Sequence, residues 1–182
     1  MSFRERVEKQ VEEFKVKFEE AREAHVAFKN GETFGYRRNG QRYQIPFNHE
    51  ESLKLFLDKT NLVNSIVYPA LDKMKNEDKS CISILFAYLW MQNRYFRSGY
   101  IKEEISKVLK KIQFNEEENQ VLEEIILSNL IYAGREIKYI AKLIPKIDNE
   151  DFRNKIYKLN EESDDYVKKR IDWVIKTYCK NR

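Results

Sequence analysis

The sequence contains little glycine, proline, cysteine or histidine, and each shortage narrows the classes of protein that it can encode. Only five glycines and three prolines occur among its 182 residues, which is too little for the turns of a protein built mainly of strands. Glutamate, lysine, leucine and isoleucine are abundant and favour helix. The sequence therefore predicts an all-α, single-domain multi-helix bundle of about seven to nine helices, with one short β-hairpin near residues 34–45.

The scarcity of cysteine and histidine argues against metal and redox chemistry. Cys81 and Cys179 lie far apart and match no metal-ligand spacing, so we expect buried thiols in a reducing cytoplasm. The two histidines, His25 and His49, are not part of the Glu-x-x-His units on which carboxylate-bridged metal sites in helical bundles depend. A glycine-rich phosphate loop and a nucleophile elbow are also missing. We therefore predict no metal, no cofactor and no catalytic residues.

Long apolar runs and a strong charge imbalance are missing too. The most apolar stretch, residues 81–91, is too short to cross a bilayer, and the N-terminal residues do not resemble a signal peptide. We therefore expect a cytoplasmic protein that does not enter a membrane. The net charge of +4 is modest for a dedicated duplex binder. Abundant lysine, glutamate, isoleucine and tyrosine suggest a heat-adapted source, although an AT-rich genome produces a similar bias.

Helical periodicity divides the predicted domain, residues 1–182, into a long N-terminal helix at residues 2–29, the hairpin, and a helical core at residues 49–180. Apolar residues of the first helix alternate by four and three, which places them on one seam. This seam either packs in the core of a monomer, the favoured interpretation, or pairs with a second copy. The seam residues are Val7, Val11, Phe14, Phe18, Ala21, His25 and Phe28.

Polar residues that can cap a helix predict where several later helices begin. They are Asn48, Asp78, Asn115, Asp148 and Ser163. Asn48 is followed three residues later by Glu51, and Asn115 by Glu118, which is the spacing of a capping box.

Other helix boundaries are predicted from proline and glycine. Pro69 either kinks a helix that begins near Asn61 or marks its true start. The pair Ser98-Gly99 should end the central helix, residues 81–96, because glycine can take the left-handed conformation. Gly134 marks a break or a close packing point in the helix that continues to Ile137. The wide apolar face of the central helix predicts that it is the most buried element.

The strongest hairpin signal lies in residues 35–46, GYRRNGQRYQIP. Asn39-Gly40 favours a two-residue type I′ turn, which needs positive φ at both positions. This turn sets the register of the two strands. It pairs Phe34 with Ile45, Gly35 with Gln44, Tyr36 with Tyr43, Arg37 with Arg42, and Arg38 with Gln41.

Strand alternation then gives the hairpin two different faces. Tyr36 and Tyr43 share one face with Arg38, and Arg37 and Arg42 oppose each other on the other face. Two opposed like charges cost up to about 1 kcal/mol unless an anion lies between them. Either a phosphate or an acidic side chain would relieve that cost.

Arginine forms bidentate bonds with phosphate and tyrosine can stack on a base, so this hairpin predicts contact with single-stranded RNA or DNA. A second basic and aromatic cluster follows the central helix. The predicted nucleic-acid-binding residues are Arg37, Arg38, Arg42, Arg94 and Arg97. The alternative interpretation is that exposed arginines prevent edge-to-edge pairing of the ribbon or bind acids of the first helix. The cations at residues 168–170 are interpreted as a solvated face.

One segment suggests an enzyme. Residues 42–49, RYQIPFNH, resemble the motif of helical HEPN-type ribonucleases, in which a short spacer separates an arginine from a histidine. The resemblance implies that His49 acts as general acid or base while Arg42 stabilises the phosphorane. The segment departs from the family pattern because Tyr43 follows the arginine, Pro46 interrupts the motif, and Arg42 lies on a predicted strand.

Three functions follow, in order of preference. The first is a non-enzymatic helical accessory or adaptor subunit of a larger assembly, which contacts single-stranded nucleic acid through the basic hairpin. The second is a purely protein-binding or structural module that uses the long N-terminal helix. The third is a metal-independent ribonuclease. The first two imply a protein partner or a homodimer.

Overall fold

The protein is helical, as its composition predicts. The computed structural model describes residues 1–29, 34–38, 41–45, 63–91, 98–132 and 136–179. Within these ranges it contains eight α-helices. They are α1 (Phe3–Lys29), α2 (Tyr68–Lys75), α3 (Ile82–Trp90), α4 (Ser98–Leu109), α5 (Glu116–Tyr132), α6 (Ile137–Ile140), α7 (Glu150–Glu162) and α8 (Asp165–Tyr178). A π-helical turn, Val63–Val67, precedes α2, and 3₁₀ segments Lys79–Cys81 and Ala141–Lys146 precede α3 and follow α6.

A two-stranded antiparallel ribbon follows α1. Its strands are β1 (Phe34–Arg38) and β2 (Gln41–Ile45). The register places Tyr36 opposite Tyr43 and Arg37 opposite Arg42. This is the pairing that a two-residue turn at Asn39-Gly40 produces.

The seam of α1 packs into the protein's own core over its first half. Phe3, Val7 and Phe14 are buried, and Val11 and Phe18 are half-buried against the same core. Over residues 3–18 the seam therefore packs in the core of its own chain, as the favoured interpretation predicts. The later seam positions lie in a stretch whose side chains are outside the described part of the chain.

The start of α1 is anchored to α5. The backbone N–H of Phe3 donates to Glu117 Oε1 at 2.6 Å. Arg4 forms a salt bridge with Glu124, also on α5. Both acids belong to the first half of α5, so the N-terminal turn of the chain is fixed to a helix far away in sequence.

Helix α3 lies at the centre of the core, as its wide apolar face predicts. It packs against α1, α2, α4 and α5. Leu85, Phe86 and Leu89 are fully buried. The Phe86 ring meets the rings of Phe3 and Phe114 edge to face, with centroids 5.2 and 5.6 Å apart. The core is therefore organised around one short apolar helix.

The prediction that the central helix runs to residue 96 and ends at Ser98-Gly99 is wrong. Helix α3 ends at Trp90, Met91 is extended, and Ser98 and Gly99 open α4. Side chains from distant elements satisfy the carbonyls at this end, because Asn129 Nδ2 donates to Leu89 O at 3.1 Å and Lys102 Nζ donates to Met91 O at 2.7 Å. A helix can end wherever its last carbonyls find such partners.

Gly99 has a packing role instead. A Cβ atom at this position would come within 3.2 Å of Cε2 of the Tyr139 ring, which belongs to α6. The absence of a side chain lets α4 and α6 approach closely.

Two of the predicted caps are confirmed. Asn115 Oδ1 accepts the N–H of Glu118, and Glu118 Oε2 accepts the N–H of Asn115, both at 2.9 Å, so this pair forms a capping box at α5. The Asp78 carboxylate accepts the N–H of Ser80 at 2.9 Å and caps the 3₁₀ segment that leads into α3.

The caps predicted for the last two helices are each one residue too early. Asn149 caps α7, and Asp164 caps α8 by accepting from two backbone N–H groups. Asp148 instead forms a bidentate pair with Arg153, at 2.7 Å for both bonds. Ser163 donates its hydroxyl to Leu159 O at 2.6 Å, at the end of α7. In each case two neighbouring residues could cap, and the one that does not cap bonds to a residue four or five positions away.

Only some of the helix boundaries predicted from proline and glycine lie within the described residues. Pro69 is the second residue of α2, which directly follows the π-helical turn Val63–Val67, so it lies where the π-helical turn changes to α-helix. Helix α5 ends at Tyr132 and Ile137 opens α6. Gly134 and the helix predicted after Asn48 lie outside the described residues. No helix in the described ranges is long and apolar enough to cross a membrane.

Candidate functional site

The predicted nucleic-acid-binding residues are only partly placed by the structure. Arg37 and Arg38 lie on β1 and Arg42 lies on β2, with Arg37 directly opposite Arg42 in the ladder. The strand position of Arg42 differs from the helical setting of the HEPN-type motif. Arg94, Arg97 and His49 lie outside the described residues, so a meeting of the hairpin with the second basic cluster stays a prediction.

A group of lysines that the sequence does not reveal lies beyond the end of α4. Lys146 Nζ donates to Ile112 O at 2.7 Å, and Lys79 Nζ donates to the carbonyl of the next residue, Gln113. Lys110, the first residue after α4, is close enough to Lys146 to raise the local positive potential there. We call Lys79, Lys110 and Lys146 the lysine cluster.

The local backbone explains why these carbonyls are available. After α4 the chain tightens into a turn in which Lys111 N–H donates to Val108 O and Ile112 N–H donates to Leu109 O. The carbonyls of Ile112 and Gln113 then have no helical donor after them and point to side chains from other elements. Cations are favoured at such a helix end because the carbonyl dipoles present partial negative charge there.

The lysine cluster brings like charges near one another. Burial lowers the pKa of Lys146, and repulsion by Lys110 and Lys79 lowers it further. Among the described residues, no carboxylate oxygen lies within 4.0 Å of these three ammonium groups, although many other lysines form such pairs. The Lys146 ammonium lies 5.0 Å from the centroid of the Phe114 ring, and this cation–π contact stabilises its charge.

The cluster can bind an anion. Each ammonium group has three N–H donors, and Lys79 and Lys146 each use one of them on a carbonyl. An oxyanion that accepts the remaining donors would also relieve the repulsion between the three charges. No linear motif could have revealed the site, because its residues come from three separate segments that only the fold brings together.

A cleft of about 640 Å³ lies between α5 and the start of α7, and Lys146 is one of its lining residues. Its walls are mostly acidic, and Lys155 joins them by binding Glu123 and Asp151, both at 2.6 Å. These two carboxylates raise the pKa of Lys155. Lys155 thus balances part of the negative charge of the cleft. No described residue indicates a bound cation there.

The described structure also contains an ion pair whose lysine is fully buried and whose glutamate is mostly buried. Lys102 Nζ lies 2.8 Å from Glu136 Oε2, and only 2% of the lysine side chain is exposed. Burial lowers the pKa of Lys102, while Glu136 opposes that shift. Since the ammonium group also donates to Met91 O, it joins α3, α4 and the start of α6. Lys102 therefore acts as a structural link between these helices.

The prediction that both thiols are buried is wrong, because Cys81 and Cys179 are half-buried at the edge of the core. Partial burial raises the pKa of the Cys179 thiol, so it is less reactive than an exposed thiol. Within the described ranges, no group of three or more His, Cys, Asp or Glu residues could hold a metal ion.

No protein-family model matches the chain, and no curated protein and no solved structure matches it. Function is therefore inferred from the charges and geometry of the described residues.

Proposed function

We propose that the protein is a non-enzymatic helical accessory or adaptor subunit of a larger assembly, and that it binds single-stranded nucleic acid through the phosphates. The observation that carries the proposal is the lysine cluster, in which Lys79 and Lys146 bind adjacent carbonyls, Lys110 lies near Lys146, and none of the three forms an ion pair in the described part of the chain. A phosphate group is the anion that best fits several convergent N–H donors, because it offers multiple strong acceptors and a full negative charge.

The ribbon supports a polymer as the ligand. It opposes Arg37 and Arg42 across the ladder, and an anion between two such arginines would remove the cost of the like charges. Two separate basic sites suit a chain of phosphates better than one small phosphate compound. The net charge of +4 favours a few local contacts with a single strand over a continuous duplex footprint.

The second function, a protein-binding module built on α1, has less support. Over residues 3–18 the apolar seam of α1 packs against the core of its own chain. A partner would therefore have to use another surface of the molecule.

Removing the lysine cluster tests the proposal. Changing Lys79, Lys110 and Lys146 together to glutamine should weaken binding to a labelled oligo(dT) or oligo(U) at low salt. The slope of the logarithm of affinity against the logarithm of salt concentration should fall by about 0.7, because the cluster binds one phosphate and each phosphate contact on a single strand contributes about 0.7. Fluorescence anisotropy over a range of salt concentrations measures both effects.

A matched control removes three other lysines, Lys9, Lys15 and Lys158, which lie exposed on α1 and α7. This variant has the same net charge as the first, so it separates a local site from general attraction. Equal weakening by both variants, or an absence of binding by the unchanged protein, would contradict the proposal.

The ribbon is tested separately by changing Arg37 and Arg42 together to alanine. We expect weaker oligonucleotide binding and a flatter salt dependence, with little change or a small gain in stability, because two opposed like charges are removed. Thermal unfolding is measured alongside binding. Unchanged binding together with a less stable fold would mean that the arginines pair with acids of the protein instead.

A further inference from the structure

Helix α8 combines exposed aromatic rings with cations on one face. Its buried face is formed by Val167, Ile171 and Val174. On the other side, Tyr166 is 69% exposed and Trp173, seven residues later, is 39% exposed. Seven residues are nearly two helical turns, so both rings lie on one stripe. Exposed tryptophan and tyrosine on the same stripe are a feature of binding surfaces.

Contacts with neighbouring side chains hold both rings in place. The guanidinium of Arg170 lies 4.9 Å from the centroid of the Tyr166 ring. Arg170 is itself fixed, because it donates to Leu130 O at 2.7 Å. The Trp173 ring meets Tyr178 edge to face, with centroids 5.7 Å apart and planes at 82°. Each ring is thus positioned by contacts with protein and still exposes part of its surface to solvent.

Cations accompany the two rings. Lys169 and Lys176 each follow a ring by three residues, which places them beside it on the helix surface. Both are exposed, and neither ammonium group forms an ion pair with another described residue. The neighbouring acid Asp172 accepts a hydrogen bond from Asn160 at 2.9 Å. The stripe therefore places two lysines that form no ion pair among the described residues beside exposed aromatic surface.

We infer that Tyr166 and Trp173 form a stacking surface for the bases of a single-stranded nucleic acid, with Lys169 and Lys176 contacting its phosphates. This inference rests on the proposed function and adds a third candidate surface to the lysine cluster and the ribbon. The two rings are about 10 Å apart along the helix axis, which is the length of about three stacked bases at 3.4 Å each.

The charges decide between a nucleic acid and a protein as the occupant of this face. Lysine is depleted in protein–protein interfaces, where its desolvation is unfavourable. Surfaces that bind single strands, in contrast, interleave cations with aromatic rings, because every base has a π face and every nucleotide has a phosphate. The exposed Lys169 and Lys176 beside the rings fit the second pattern.

The experiment uses the intrinsic fluorescence of Trp173. The chain has two tryptophans, so Trp90→Phe leaves Trp173 as the only indole, and titration with a (dT)12 oligonucleotide should quench its emission. An abasic oligonucleotide of the same length should bind with much less quenching. Trp173→Ala should weaken (dT)12 binding about 5- to 140-fold, the range expected for the loss of one stacked base.

Two further variants keep the test independent of folding defects. In the otherwise unchanged protein, Trp173→Phe should retain binding because a ring remains, and should lose the quenched component of the emission. Tyr157→Ala removes another exposed ring, 45% exposed on α7, and should leave binding unchanged.

The outcomes separate this inference from the proposed function. If (dT)12 binds and responds to the lysine cluster variant, while Trp173 is not quenched and Trp173→Ala binds normally, the stacking surface is refuted and the proposed function stands. If (dT)12 does not bind at all, the proposed function is refuted, and the stacking surface that rests on it is refuted with it. If Trp173→Ala alters only the sedimentation of the protein, the face is a protein contact and the inference is overturned.

Discussion

Replacing Phe86 by alanine is expected to lower the free energy of unfolding by about 3 to 5 kcal/mol. Phe86 is fully buried on α3, at 0% exposure, and its ring packs edge to face against Phe3 and Phe114. The substitution removes apolar surface from the centre of the core and leaves a cavity between α1, α3 and the segment before α5, which all meet at this ring.

Guanidinium denaturation followed by circular dichroism measures this loss. The control is Tyr132→Ala, because Tyr132 is 60% exposed and a surface change of this kind is usually worth less than about 0.5 kcal/mol. A loss below about 1 kcal/mol for Phe86→Ala would show that the core is not centred on α3, since a buried ring at the centre of a core costs several times more to remove.

Replacing Glu136 by alanine should destabilise the fold by about 3 to 5 kcal/mol, the usual cost of leaving one partner of a buried ion pair without the other. The Lys102 ammonium would then remain buried with Met91 O as its principal described acceptor. The double variant Lys102→Met/Glu136→Ala should recover much of the loss, because methionine fills a similar volume without a charge. Thermal and chemical unfolding of both variants measure the difference.

The pH dependence of stability gives an independent check on this pair. In the folded protein the pKa of Lys102 lies below its usual value of 10.5. At pH values between the lowered pKa and 10.5 the unfolded chain therefore binds more protons than the folded one, and the contribution of Lys102 to stability rises with pH. The slope of unfolding free energy against pH in this alkaline range should be smaller in Lys102→Met than in the unchanged protein. An identical slope in both would mean that Lys102 is not desolvated.

Local patterns in the sequence predict the parts of the fold that depend on neighbouring residues. The alternating seam of α1, the apolar width of α3 and the Asn115–Glu118 capping box are all set within a few turns of the chain. The end of α3 is different, because Asn129 and Lys102 supply donors to its last carbonyls from distant helices. The prediction that Gly99 ends the central helix is wrong for the same reason, since its role depends on the Tyr139 ring of α6.

The candidate surfaces could be predicted to different extents. The lysine cluster could not be predicted, because Lys79, Lys110 and Lys146 become neighbours only through tertiary packing. On α8 the seven-residue spacing of Tyr166 and Trp173 was visible in the sequence, but aromatic rings at helical spacing usually pack in a core. Only their exposure in the structure distinguishes this stripe from core residues.

The bond between the Phe3 N–H and Glu117 spans 114 positions of the chain, and this separation has a consequence for synthesis. A ribosome that adds about 5 to 20 residues per second needs about 6 to 23 s to make the intervening chain. During that time the apolar seam of α1 has been made while its anchor on α5 has not. Phe3, Val7 and Phe14 can pack against α3 once that helix is made, but fragments that stop before α5 lack the acids that fix the start of α1 and should be less stable than the whole chain.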